Sequence, residues 1–150
     1  MNKLLELRVI KTHEILDKYI ALENILFALP KGIWGFFKGL FKAVNYKLYT
    51  DKLALLNVEL EGILADLNAL GNSKLNKGES QLKDALSEFI EKLGCAIDAL
   101  IKVNLNLAIK AEGKRYSVKE YQSDMAEYRS RVDDYYALGG RLNELYNKLI

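Results

Sequence analysis

The stretch Leu82-Lys83-Asp84-Ala85-Leu86-Ser87-Glu88-Phe89-Ile90-Glu91-Lys92-Leu93-Gly94-Cys95-Ala96-Ile97-Asp98-Ala99-Leu100-Ile101-Lys102-Val103-Asn104-Leu105-Asn106-Leu107 places leucine at 86, 93, 100 and 107. Leu82, Phe89, Ala96 and Val103 fall between them. Two interleaved sets with a period of seven are the a/d pattern of one helix lying along another. Ile90, Ile97 and Ile101 widen the stripe beyond a two-stranded seam, so the helix is expected to face more than one neighbour. It is expected from about Ser80 to Ala111, with Glu112-Gly113-Lys114 as its stop. Cys95 sits between core positions and reads as a small buried apolar group.

Downstream, Ser117-Val118-Lys119-Glu120 matches a capping box, in which a serine and a glutamate three residues on satisfy free backbone amides. The helix it opens carries Val118, Met125, Val132, Gly139 and Tyr146 in one heptad set, and Tyr121, Tyr128, Tyr135, Leu142 and Leu149 in the other. Tyrosines on an apolar seam pack their rings between helices and send their hydroxyls to a hydrogen-bond partner. Gly139-Gly140 costs about 2 kcal/mol relative to two alanines, so a kink or short break is expected there.

Upstream, a first helix is expected from about Asn2 to Ala28, ended by Leu29-Pro30-Lys31-Gly32. A second starts near Ile33 and extends as far as Leu70, with a break near Thr50-Asp51, where a new helix could be capped. Leu53, Leu56, Leu60, Ile63, Leu64, Leu67 and Leu70 hold helical spacing, and the polar stretch from Gly71 to Gly78 reads as a loop. Leucine occurs 27 times against 19 for valine, isoleucine and threonine together, which favours helix over strand. The third and fourth helices, each about 48 Å long at 1.5 Å per residue, and a first of about 40 Å fit one architecture. The chain is read as all-α: a single domain, 1–150, forming an antiparallel up-and-down bundle of four long helices.

Several chemistries are excluded by composition. Among 150 residues there is one cysteine and one histidine, which removes an intrachain disulfide, thiolate zinc clusters and any design needing two imidazoles. Di-iron bundles require two Glu-x-x-His units, and three residues before His13 stands Ile10. His13 reads as a surface or boundary residue. Nucleophile elbows, phosphate-binding glycine loops and dinucleotide fingerprints do not occur. No catalytic, cofactor-binding or metal residue is assigned, and no cofactor is expected. The charge is nearly balanced, 22 basic against 20 acidic residues, so a nucleic-acid partner is not expected. Basic residues do accompany the last helix's tyrosines, but Glu120, Asp124, Glu127, Asp133, Asp134 and Glu144 share that helix.

One segment departs from this balance. No acid lies between Glu23 and Asp51, and residues 31–52 carry five lysines against one acid, net +4. The other residues, 17 basic and 19 acidic, sum to −2. The candidate interaction surface is Lys31, Ile33, Trp34, Phe36, Phe37, Lys38, Leu40, Phe41 and Lys42. On a helical wheel the apolar side chains of 30–48 cover about half the circumference, with Lys38 and Lys42 on the other half. Such a face either fills one end of a bundle core or docks on a partner or an anionic membrane surface.

The sequence therefore predicts a non-enzymatic helical interaction protein that acts through protein–protein contacts or self-association. The alternative is a small helical protein of immunity, lysis-control or toxin-like kind that associates with a membrane surface through 30–48. A third reading, an enzyme or small-ligand binder using the bundle interior, rests on the seam tyrosines and Cys95. Apolar runs are interrupted by charge well before the roughly 20 residues of a membrane span, and Glu6 and Arg8 interrupt any leader core. A cytoplasmic location, peripheral to a membrane in the alternative reading, is expected. Lysine, asparagine and isoleucine usage is compatible with an AT-rich genome of mobile or viral kind.

Overall fold

The computed structural model describes residues 1–27 and 45–150. Among them are four α-helices and no strand: α1 Lys3–Phe27, α2 Tyr46–Ala69, α3 Lys77–Ala111 and α4 Val118–Asn147, with a short 3-10 turn at Asn72–Lys74.

Helix starts are set by side chains that accept otherwise orphaned backbone N–H groups. The Asn2 carboxamide oxygen accepts from Leu4 and Leu5 at 3.0 and 3.2 Å. Asn45 accepts from the Leu48 N–H at 3.1 Å, so α2 starts at Tyr46 and runs unbroken through Thr50-Asp51. The full capping box belongs to α3: Asn76 accepts from the Glu79 N–H at 2.8 Å, and the Glu79 carboxylate accepts from the Asn76 N–H at 3.0 Å. The helix thus opens three residues before Ser80 and includes Gly78, which read as loop. The Glu79 carboxylate also accepts the Asn2 N–H at 2.5 Å, tying the starts of α1 and α3 together. These backbone donors, from Asn76 first and Asn2 second, hold its pKa below the ordinary carboxylate value. Ser117 accepts from the Glu120 N–H at 3.1 Å and caps α4.

Side-chain contacts give the direction of every neighbour pair. Arg8 meets Asp66 at 2.9 Å, whereas Lys18 and Leu22 lie beside Lys52 and Leu56, so α1 and α2 run antiparallel. Lys83 donates to the Leu70 carbonyl at 2.9 Å, and Asn104 donates to the Tyr46 carbonyl at 3.2 Å, so α2 and α3 are antiparallel. Phe89 packs edge-on against Tyr135, and Lys102 pairs with Glu127 at 3.2 Å, which makes α3 and α4 antiparallel. Tyr19 packs on Tyr135 and Phe27 on Tyr128, closing the ring with α1 antiparallel to α4. The architecture is the four-helix, up-and-down bundle that the heptads predict.

The eight a/d residues of α3 from Leu82 to Leu107 are all buried, and Ile90 and Ile97 join them. This helix is the centre of the core, packed on α2 and α4 along its length and on α1 across the bundle. Tyr121, Tyr128 and Tyr135 are buried with it, as the seam predicts. Two further expectations are corrected. The helical pattern of α4 passes through Gly139-Gly140 without a break, because flanking residues such as Tyr135 and Leu142 are anchored in the core. Cys95 is exposed, because it lies about 200° around α3 from Leu93, on the side turned away from the core.

Candidate functional site

The nine residues singled out by sequence, Lys31, Ile33, Trp34, Phe36, Phe37, Lys38, Leu40, Phe41 and Lys42, lie outside the described residues. A different site emerges where α1 meets α4. This contact is made by long side chains rather than close backbones, because tyrosines act as spacers between the two helices.

At the centre of that contact, the Tyr19 hydroxyl is 3.0 Å from Glu23 Oε2. The Tyr128 hydroxyl, from α4, lies against both the Tyr19 hydroxyl and the same carboxylate oxygen. Three oxygens thus share two hydroxyl protons, and Glu23 is the charged acceptor. Burial raises the pKa of Tyr19, reinforced by Tyr128 and Glu23, and burial likewise raises that of Tyr128. Both phenols therefore stay protonated across ordinary pH. They act as fixed donors, not as proton acceptors or nucleophiles.

Beyond this cluster, towards Phe27, the helices leave an open groove of about 660 Å³. Phe27, Tyr121, Met125, Tyr128 and Val132 supply its apolar lining, and Glu23, Arg129 and Asp133 its charges. Phe27 and Tyr128 stack at 5.9 Å between ring centroids. Burial also raises the Tyr121 pKa, with Arg129 acting in the opposite sense. The lining of α4 runs from Tyr121 to Asp133, about 18 Å at 1.5 Å per residue. Such a groove can exclude water from an apolar ligand face and pair charges at its rim.

A second polar cluster closes the same end of the bundle. Asp124 accepts from Tyr116 at 2.5 Å and from Asn106 at 2.9 Å, and pairs with Lys102 at 3.5 Å. Buried Asn104 donates to the Thr50 hydroxyl at 3.2 Å as well as to the Tyr46 carbonyl. These bonds tie α2, α3 and α4 together and satisfy one another, so they read as structural. His13 is exposed and lies 3.8 Å from Asp17. Among the described residues, no group of three His, Cys, Asp or Glu side chains could hold a metal ion. No described helix is long and apolar enough to cross a membrane.

The heptad pattern placed Tyr121 and Tyr128 on the packed seam of α4, not in a groove. Glu23 and Phe27, which complete it from α1, carry no motif and were missed. Comparison with known proteins adds no constraint: no family model, curated protein or solved structure matches the chain.

Proposed function

We propose that the chain is a non-enzymatic interaction protein that binds the apolar face of a helix, from a protein partner or a second copy, in the α1–α4 groove. The observation that carries this reading is the groove itself: more than three turns along α4, floored by buried Tyr121, Met125 and Tyr128, with half-buried Val132 and Phe27 at its mouth. That length accommodates anchors at i, i+3/i+4 and i+7 of a docked helix. Charges of both signs at the rim, Glu23 and Asp133 against Arg129, suit orientation of a partner rather than bulk attraction. Both phenols stay protonated and donate to Glu23, which supports binding over acid–base chemistry.

A photo-crosslinking residue at Gln122, in the groove, is expected to give a discrete adduct that a Val132→Asp change abolishes. The same residue at Glu91, exposed on α3, is expected to give none. Sedimentation analysis of the adduct distinguishes a homodimer from a foreign partner. Equal labelling from both positions, or none from Gln122, overturns the reading.

A second reading, association with an anionic membrane surface, is favoured by a separate observation. By sequence, the stretch from Asn24 to Thr50 carries lysines and aromatics and no acid, and the described helix ends that flank it expose Ile25 and Leu48. Location at a membrane periphery, within the cytoplasm, belongs to this reading.

A further inference from the structure

A second apolar stripe runs along α2, on the side turned away from buried Leu53, Leu60 and Leu67. Leu48, Leu55 and Gly62 recur there every seven residues, with Ala54, Val58 and Ala65 beside them. All of these are exposed, Leu55 by 59% and Val58 by 62%. Leu55 stands on the rim of a concavity of about 290 Å³, lined further by Lys52, Leu56 and Glu59 of α2 and by Lys18 and Leu22 of α1. At Gly62 a Cβ would meet nothing within 4 Å, so the backbone there is open to an incoming side chain. Projecting leucines and hollows therefore alternate on one face.

The charges on its flanks select the occupant. The first half of α2 carries Lys47, Asp51 and Lys52, net +1, and the second half Glu59, Glu61 and Asp66, net −3. Asp66 is engaged by Arg8 at 2.9 Å. Lys47, Lys52, Glu59 and Glu61 form no ion pair with any described residue. One carboxylate oxygen of Glu59 is shielded from water and has no hydrogen-bond partner among the described residues. A helix charged in this way complements a copy of itself when that copy runs the opposite way. With the two-fold axis at Leu55, Glu59 of the second copy comes level with Lys52, and Glu61 of the second copy with Lys47. Both pairs lie on matching flanks and recur by symmetry. In the same register each Leu55 meets the hollow beside the other, and Leu48 lies over Gly62 of the second copy. A parallel pairing sets each charge beside its own kind.

We propose that the outward face of α2, centred on Leu55, is a contact between two antiparallel copies of this chain. It shares no residue with the α1–α4 groove and does not depend on the reading of that groove. One helix of each copy takes part, which places the contact at the low end of specific interfaces, under about 1,200 Å² in total, and makes the dimer weak and reversible.

The test is sedimentation equilibrium of the full chain from about 10 μM to about 1 mM. The wild type is expected to pass from monomer to dimer across that range. Leu55→Asp, at an exposed position, is expected to weaken the dimer about tenfold or more. Val132→Asp, in the groove, is expected to leave it unchanged. The decisive variants are Lys47→Glu/Lys52→Glu and Glu59→Lys/Glu61→Lys. Each alone sets like charges together at every one of these pairs and is expected to lose the dimer. Mixed, they restore opposite charges throughout and are expected to form a heterodimer at least as tight as the wild-type dimer. Lys119→Glu/Arg141→Glu on exposed α4 positions, mixed with Glu59→Lys/Glu61→Lys, has the same difference in net charge and is expected to associate about tenfold more weakly. A wild type that stays monomeric at about 1 mM overturns the proposal and leaves the groove reading untouched. A dimer that Val132→Asp dissolves and Leu55→Asp keeps moves self-association to the groove and overturns it too. Charge variants that fail to associate on mixing, or that associate no better than the α4 control, overturn the antiparallel contact.

Discussion

The clearest test of how α1 is held to α4 is to strip the two phenol hydroxyls from Glu23 in turn. Tyr19 is fully buried and Tyr128 nearly so, and phenylalanine fills the same ring space in either place. Tyr128→Phe removes one of two protons shared among three oxygens but leaves Glu23 with its 3.0 Å bond from Tyr19. Hydrogen bonds to a charged group contribute about 1.5–3 kcal/mol, and loss of a buried hydroxyl's desolvation cost offsets part of that. Each single change is therefore expected to cost about 1–2 kcal/mol, a fall of about 3–6 °C in Tm for a chain of this size. The double change leaves the carboxylate oxygen with no phenol donor. Its cost is expected to exceed the sum of the singles by about 1 kcal/mol, because the second replacement creates an unsatisfied acceptor that the first did not. Urea unfolding followed by far-UV circular dichroism measures all four proteins, with m expected to stay constant. Singles below about 0.5 kcal/mol, together with a strictly additive double, would refute the idea that this cluster fastens the two helices.

Three further outcomes are expected. Glu79 has its pKa lowered in the folded state, so its contribution is fully present above the ordinary carboxylate value and is lost as pH falls through the depressed one. Wild-type stability should therefore decline below about pH 4.5, and Glu79→Gln should flatten that decline when Tm is measured across pH. A Cβ at Gly140 meets nothing within 4 Å, so Gly140→Ala should stabilise α4 by about 0.5–1 kcal/mol; a loss would show that α4 needs glycine there. Asn104→Leu should cost about 1–3 kcal/mol in urea unfolding, because it removes the buried bonds from α3 to the Tyr46 carbonyl and the Thr50 hydroxyl, each at 3.2 Å.

What could be read in advance follows from the range of the physics involved. The seven-residue spacing of α3 is a local property, and burial of every a/d residue from Leu82 to Leu107 follows from it. The tyrosine seam of α4 was legible for the same reason. Caps were harder, because the residue that matters stands alone: Asn76 and Glu79 open α3 from within a stretch whose glycine and lysines resemble a loop. Gly139-Gly140 misled because helix propensity is a small term beside the packing of Tyr135 and Leu142. The groove was out of reach altogether. It depends on how far apart tyrosines hold two helices whose contacting residues, Tyr19 and Tyr128, are 109 positions apart.

That separation has a kinetic meaning. The α2–α3 and α3–α4 hairpins close short connections, whereas the α1–α4 contact joins opposite ends of the chain and must wait for the rest of the ring to assemble. The phenol–carboxylate clasp is then the last part of the bundle to lock and the first to loosen, and native-state amide exchange should give α1 the lowest opening free energy of the four helices. A protein that breathes along this line uncovers Met125 and Phe27 without melting the α2–α3–α4 remainder, which gives an incoming helix a way in.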